Sequence, residues 1–150
     1  MLIDYLRRDA RIFQSQQRPI AAALLLLCCT STYAETFRVR VLDAHNARPV
    51  SGEKVNVHIK GIRDDATYTT DSNGIFIVDA SKNAELSVAT EWRVTCLAKK
   101  HSGVPMFTVQ QILTSGVVEP NTCGRAKAEL IPGTITIFTR KATFFENMAR

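Results

Sequence analysis

Histidine is scarce in this chain, three residues in 150, and none of His45, His58 and His101 has a Glu or a second His at the spacing of a metal motif. A zinc peptidase site of the usual kind is therefore excluded, and no metal or other cofactor is expected. There is no Cys-x-x-Cys pair to lower a thiol's pKa, no glycine-rich phosphate loop, and no base placed to activate one of the scattered Ser, Thr or Asp residues. Asp71, Asn73 and Gly74 have some of the look of a calcium loop, but Lys82 stands where the twelfth-position Glu is needed. Basic runs are absent too. Lys99, Lys100 and His101 make the only local cluster beyond the leader; a solvated loop accounts for them, and no nucleic-acid partner is expected.

Long apolar runs are also missing. The unbroken stretch Ile20 to Cys29 is ten residues, well below the ~20 that a spanning helix needs. It follows the basic residues Arg7, Arg8, Arg11 and Arg18 and precedes Thr32-Tyr33-Ala34, which is the order of a signal peptide with cleavage between Ala34 and Glu35. An uncleaved N-terminal membrane anchor is the alternative. Leu27 and Cys28 occupy the positions where lipidation would need a small residue, and Asp9-Ala10-Arg11 does not continue a twin-arginine pattern, so general secretion to a periplasmic or extracellular location is expected. Residues 35–150 then form one domain, carrying 15 Lys and Arg against 12 Asp and Glu. Of the four cysteines only Cys96 and Cys123 remain in it, an even pair in an oxidising compartment, which reads as a disulfide; two separate thiols are the other possibility.

What is present is a series of short alternating strands. Phe37, Val39 and Val41 alternate with Arg38 and Arg40, and Val55, Val57 and Ile59 alternate with Lys54, Asn56, His58 and Lys60. That is the period of strands with one buried and one wet face. Asn46, Pro49, Ser51 and Gly52 supply turn chemistry between them. Thr67 to Thr70 and Ile75 to Val78 flank Asp71-Ser72-Asn73-Gly74, the strongest turn signal in the chain, and read as a hairpin.

The order VRVLDAHNARPVSGEKVNV, a spacer, then YTTDSNGIFIVD resembles the carboxypeptidase regulatory-like domain, a transthyretin-like β-sandwich of exported bacterial proteins. The matching positions are Pro49, Val50, Gly52, Thr70, Gly74 and Phe76. The resemblance covers about the first half of the mature chain and implies a fold and an accessory role without a peptidase domain. Arg40-Val41-Leu42-Asp43 is also similar to the start of hydroxyisourate hydrolase. In that family a catalytic His stands where this chain has Arg40, and the terminal signature is Tyr-Arg-Gly-Ser rather than Asn147-Met148-Ala149-Arg150.

Further on, Leu86 and Val88, then Trp92, Val94 and Cys96, continue the strands, and Trp92 is expected to pack in the core near the disulfide. Val109, Ile112 and Leu113 have helical spacing, with Thr108 and Gln111 as a capping box and Gly116 as the stop. Ile135, Ile137 and Phe138 mark a last, well-covered strand. Thr143 and Glu146 form a second capping box, opening a terminal helix that carries Phe144, Phe145 and Met148. So short a helix must dock on something, either its own sandwich, a partner protein or a membrane interface.

These readings combine into a mainly β protein: an immunoglobulin-like or transthyretin-like antiparallel β-sandwich of about seven strands with one inserted helix and one C-terminal helix. A non-enzymatic, monomeric, exported binding or accessory protein is expected, its ligand an unidentified protein or glycan and its mature form not embedded in a membrane. An inhibitor or immunity-like protein with one tight partner is the first alternative. A transthyretin-like hydrolase with an altered site, using Arg40 or His58, is the second.

Overall fold

The structure, a computed structural model, describes residues 34–97 and 104–148. The leader before Ala34, the Lys99-Lys100-His101 cluster and the last two residues lie outside the described residues. Nine strands and two helices follow in order: β1 (Ala34–Asp43), β2 (Lys54–Ile59), β3 (Ala66–Thr69), β4 (Ile75–Ser81), β5 (Glu85–Thr90), β6 (Arg93–Thr95), β7 (Phe107–Thr108), α1 (Val109–Ser115), β8 (Val117–Val118), β9 (Thr134–Lys141) and α2 (Phe144–Met148). The excess over seven strands comes from short pieces: β7 and β8 are two residues each.

The strands form two layers. One sheet has the order β4-β1-β9-β6, with β8 also pairing β9; the other has the order β3-β2-β5-β7. The alternation expected in β1, β2 and β4 is present: Phe37, Val39 and Val41, Val55 and Val57, and Phe76 and Val78 are buried between the layers. Leu86 and Val88 of β5 and Ile135 and Ile137 of β9 complete the interior, with Val109 and Ile112 of α1. At ~1.5–3 kcal/mol for each fully buried large apolar side chain, this layer is the main source of stability.

Two features depart from the alternating reading. The first is direction. Most pairings are antiparallel, but β9 runs parallel to both β1 and β8. Parallel neighbours need a long crossover, and here almost the whole domain serves as the crossover between its first and last strands. Consistent with a central position, β9 is buried on both faces from Thr134 to Thr139.

The second concerns the turn at Asp71 to Gly74. It is tight: Asp71 N–H donates to the Ile75 carbonyl at 2.9 Å, and Asp71 Oδ1 accepts from Asn73 N and Ile75 N, both at 2.8 Å. Gly74 alone takes the left-handed conformation (φ 70°), and a Cβ there would press on the backbone of Val41 and Val50. Yet β3 pairs β2 while β4 pairs β1, so the turn carries the chain from one layer to the other and is not a hairpin. Turn chemistry specifies a reversal; it does not specify which sheet receives the next strand. The crossing is filled by Tyr68 stacked on Phe76, ring centroids 5.0 Å apart.

The inserted helix α1 is capped as its sequence implies. Thr108 Oγ1 accepts from Gln111 N at 3.2 Å and Gly116 closes the C-terminus. After β8 the chain does not return at once to a sheet. Residues 119–131 run as a strap over the outer face of the β1/β9 sheet, where Leu42, Ala44, Cys96 and Phe138 form a second buried cluster. The Cys96–Cys123 disulfide, Cα atoms 5.5 Å apart, pins the strap.

Candidate functional site

The motif residues near the N-terminus converge on one fastening. Thr70, buried, donates through Oγ1 to the Val50 carbonyl at 2.7 Å and accepts from Glu53 N at 2.9 Å. Gly52 N donates to the Thr70 carbonyl and Val50 N to the Val41 carbonyl, both at 3.0 Å, while Pro49 bridges Leu42. Pro49, Gly52, Thr70, Gly74 and Phe76 thus tie the two layers together, a structural arrangement with no free reactive group among them.

Trp92 is not in the core. It is 55% exposed at the tip of the turn between β5 and β6, and β6 begins only at Arg93. The cause is local bonding that alternation does not reveal. Thr90 Oγ1 donates to the Arg93 carbonyl at 2.8 Å, and the buried Glu53 carboxylate accepts both Trp92 N and Arg93 N through Oε1, at 3.0 Å each. A buried carboxylate is costly unless hydrogen-bonded, and this one is bonded to the turn that holds Trp92 outward. The Lys54 ammonium lies 5.2 Å from the indole centroid.

The C-terminal helix does not dock on its own sandwich either. Phe144, Phe145 and Met148 are 71%, 81% and 72% exposed, and the two Phe rings meet edge-on at 5.8 Å. What fixes α2 is ionic. Arg140, at the end of β9, grips Glu146 with both guanidinium arms, at 2.8 Å and 2.6 Å, and Glu146 Oε2 also accepts Thr143 N at 2.8 Å and Thr143 Oγ1 at 2.9 Å. The expected capping box is therefore half formed: Glu146 caps the Thr143 N–H, but the Thr143 hydroxyl donates to Glu146 instead of accepting from the helix. The Arg140 guanidinium, then the Thr143 N–H and hydroxyl, hold the Glu146 carboxyl far below the usual carboxylate range.

Beneath these two features Arg93 Nη2 pairs Asp43 Oδ2 at 2.7 Å and Arg93 Nε donates to Thr139 Oγ1 at 2.8 Å. Burial pushes the Asp43 carboxyl up, but the His45 N–H, the Arg93 guanidinium and the Asn46 N–H outweigh it and hold it below its ordinary value. Register places these groups toward one end of the sandwich: Arg93 lies opposite Lys141 and Val94 opposite Arg140, so Trp92, just before Arg93, and α2, just after Lys141, both follow from the same end of the β6/β9 pair. Glu53, Asp43, Arg93 and Arg140 were not singled out from the sequence. Their only signal there is that each flanks a strand end, which charged residues do everywhere.

The residues considered for catalysis are scattered. Arg40 donates through Nε to Thr136 Oγ1 at 3.3 Å and lines an open groove of about 390 Å³ with Leu42, Pro49, Ile75, Lys127 and Ile131. His58 is on the other sheet, its Nδ1 2.7 Å from Asp65 Oδ1. Ser87 faces His58 across the β2/β5 pairing, but no hydrogen bond joins their side chains, and the His–Asp pair stands about half exposed on an open sheet face. Among the described residues no group of three or more His, Cys, Asp or Glu could hold a metal ion, and no helix is long and apolar enough to cross a membrane. Ala34 and Glu35 begin β1, paired with Ser81 and Ala80.

Comparison with protein-family models, curated proteins and solved structures finds no match to this chain.

Proposed function

We propose that this chain is an exported, non-enzymatic β-sandwich of the carboxypeptidase regulatory-like kind that works by binding, and that its contact surface is the end bearing α2. The observation that carries the reading is the fully outward display of Phe144, Phe145 and Met148 on a helix held by its own ion pair. Large apolar side chains gathered at an exposed site mark an interaction surface far more often than they fill an ordinary one. The fastening of Pro49, Gly52, Thr70, Gly74 and Phe76 supports the family reading, because the residues of the motif act together on the sandwich.

A photo-crosslinking amino acid at position 145, expressed in intact cells, tests this. The expected result is a defined adduct from position 145 and none from position 62, another exposed apolar residue, in the β2–β3 turn at the opposite end. Equal or absent labelling at both positions would remove α2 as the contact surface. Turnover of an ester or ring amide by the pure protein, abolished in His58→Ala, would overturn the non-enzymatic reading.

A further inference from the structure

β4 forms one margin of its sheet, and among the described residues no strand pairs its outer edge. The other strands with a single partner, β3, β6, β7 and β8, have four, three, two and two residues, whereas β4 has seven. A long bare edge invites further pairing, and proteins ordinarily blunt it with Pro, Lys or a bulge. The β4 sequence IFIVDAS contains neither Pro nor Lys, and its register with β1 runs from Ala34↔Ser81 to Arg40↔Ile75 without a bulge. Its one charge is tied back across the sheet, because Asp79 Oδ1 accepts the Thr36 hydroxyl at 2.6 Å. Ile77, in the middle of the edge, is 58% exposed.

The register also decides which backbone groups face outward. Val41 N donates to the Gly74 carbonyl at 2.8 Å, so Phe76, Val78 and Ala80 continue the hydrogen-bonded pairs with β1. The N–H and C=O groups of Ile75, Ile77, Asp79 and Ser81 then point away from β1. Ile75 uses both of its groups on Asp71, and the Ser81 carbonyl accepts Ala84 N. Ile77 and Asp79 are left with two donors and two acceptors to offer.

These four groups match themselves. In a second β4 laid antiparallel about a twofold axis through Val78, Ile77 of each copy lies opposite Asp79 of the other, and all four groups pair. An axis through Ile77 would set Asp79 against Ile75, whose groups are already taken. An axis through Asp79 would put two carboxylates directly opposite each other, which is destabilising. The Val78 register also carries Lys82 of each copy opposite Gly74 of the other, at the end of the turn whose acid is Asp71. Lys82 and Asp71 are both exposed, and neither is in an ion pair among the described residues.

We infer that two copies of this chain join edge to edge through β4 into one continuous sheet, with Val78 on the twofold axis. The contact is isologous, so it closes at two copies and does not propagate. Hydrogen bonds supply its register, and the Lys82 and Asp71 charges at its two ends favour the antiparallel direction.

The test reads the edge itself. Sedimentation equilibrium and amide exchange follow the full-length chain across the micromolar range. The mass rises to twice that of one chain, and the Ile77 and Asp79 amides gain about tenfold or more in protection as the dimer fills. Ile77→Lys, with circular dichroism unchanged, weakens the dimer by about tenfold or more and returns the Asp79 amide to fast exchange. Ile77→Pro removes only a donor that faces outward and does the same; should it unfold, the lysine variant decides. Lys82→Glu, which brings two acids together, weakens association by about threefold, and by less at high salt. A wild-type chain that keeps the mass of one copy, with both amides exchanging freely, overturns the inference. Association unaffected by Ile77→Lys also overturns it, by placing the contact elsewhere. Protection of Ile77 and Asp79 that does not depend on concentration overturns it too, because the chain would then be covering its own edge.

Discussion

Sixteen buried residues fill the space between the two sheets, whereas only four fill the space beneath the strap of residues 119–131. The inner region holds itself together by apolar area contributed from both layers and from α1. The outer one has too little area for that and relies on point fastenings. The disulfide is one. Asn121 is another: its Nδ2 donates to the Ala44 and Ala126 carbonyls at 2.7 Å and 3.0 Å, while its Oδ1 accepts from Cys123 N and Gly124 N. The strap lies so close to β1 that any Cβ at Gly124 would collide with the Ala44 carbonyl. Burial can thus be achieved by matching faces or by tying a loop down, and the two should fail differently.

The largest effect is expected inside. Phe37→Ala removes a fully buried ring from the inter-sheet layer and should destabilise the domain by about 3–5 kcal/mol. Urea denaturation followed by circular dichroism measures this, and a loss under about 1 kcal/mol would mean that the interior is not the dominant region.

Next comes the strap. Cys96→Ser/Cys123→Ser opens a link spanning 27 residues, for which loop entropy gives about 3–4 kcal/mol. Here hydrogen exchange sharpens the contrast: the amides of 121–126 should lose protection selectively, while those of β2 and β5 open only with the whole domain. Uniform loss across both regions would show that they are one cooperative unit. Asn121→Ala should cost less, about 1–3 kcal/mol for the buried groups left unpaired, again with exchange confined to the strap.

The smallest effect concerns α2, which belongs to neither buried region. Because the folded pKa of Glu146 lies below the ordinary carboxylate value, the Arg140 clamp is complete above that value. It is lost only as the pH falls through the depressed folded one. Amide spectra of residues 143–148 should therefore be unchanged from pH 7 to about pH 5 and should shift only in stronger acid. A midpoint at the normal Glu value would show that the ion pair does not hold the helix.

Much of the inner region was legible, because period-two alternation states directly which side of Phe37, Val39, Val55 and Val57 is dry. Thr108 with Gln111 named the start of α1, and the even cysteine pair named the disulfide. The partition into layers was not legible, since Asp71 to Gly74 makes the same tight turn whether the next strand joins the same sheet or the opposite one. Trp92 was misread because its alternation with Val94 and Cys96 extends the strand back past Arg93, while its position is decided by a carboxylate 39 residues away at Glu53. The terminal helix was found from Thr143 and Glu146. What it faces depends on tertiary contacts that a five-residue pattern does not contain.

The parallel pairing of β1 and β9 also has a mechanical meaning. The chain enters at Ala34 and leaves at Lys141, at opposite ends of the sheet, and six residue pairs from Arg38 to Asp43 join these neighbouring strands. A pull on the two termini therefore slides β1 along β9 and loads all of their hydrogen bonds together in shear, instead of peeling them one at a time. Held at its leader side and at its aromatic end, the domain is oriented to bear tension as a stiff link.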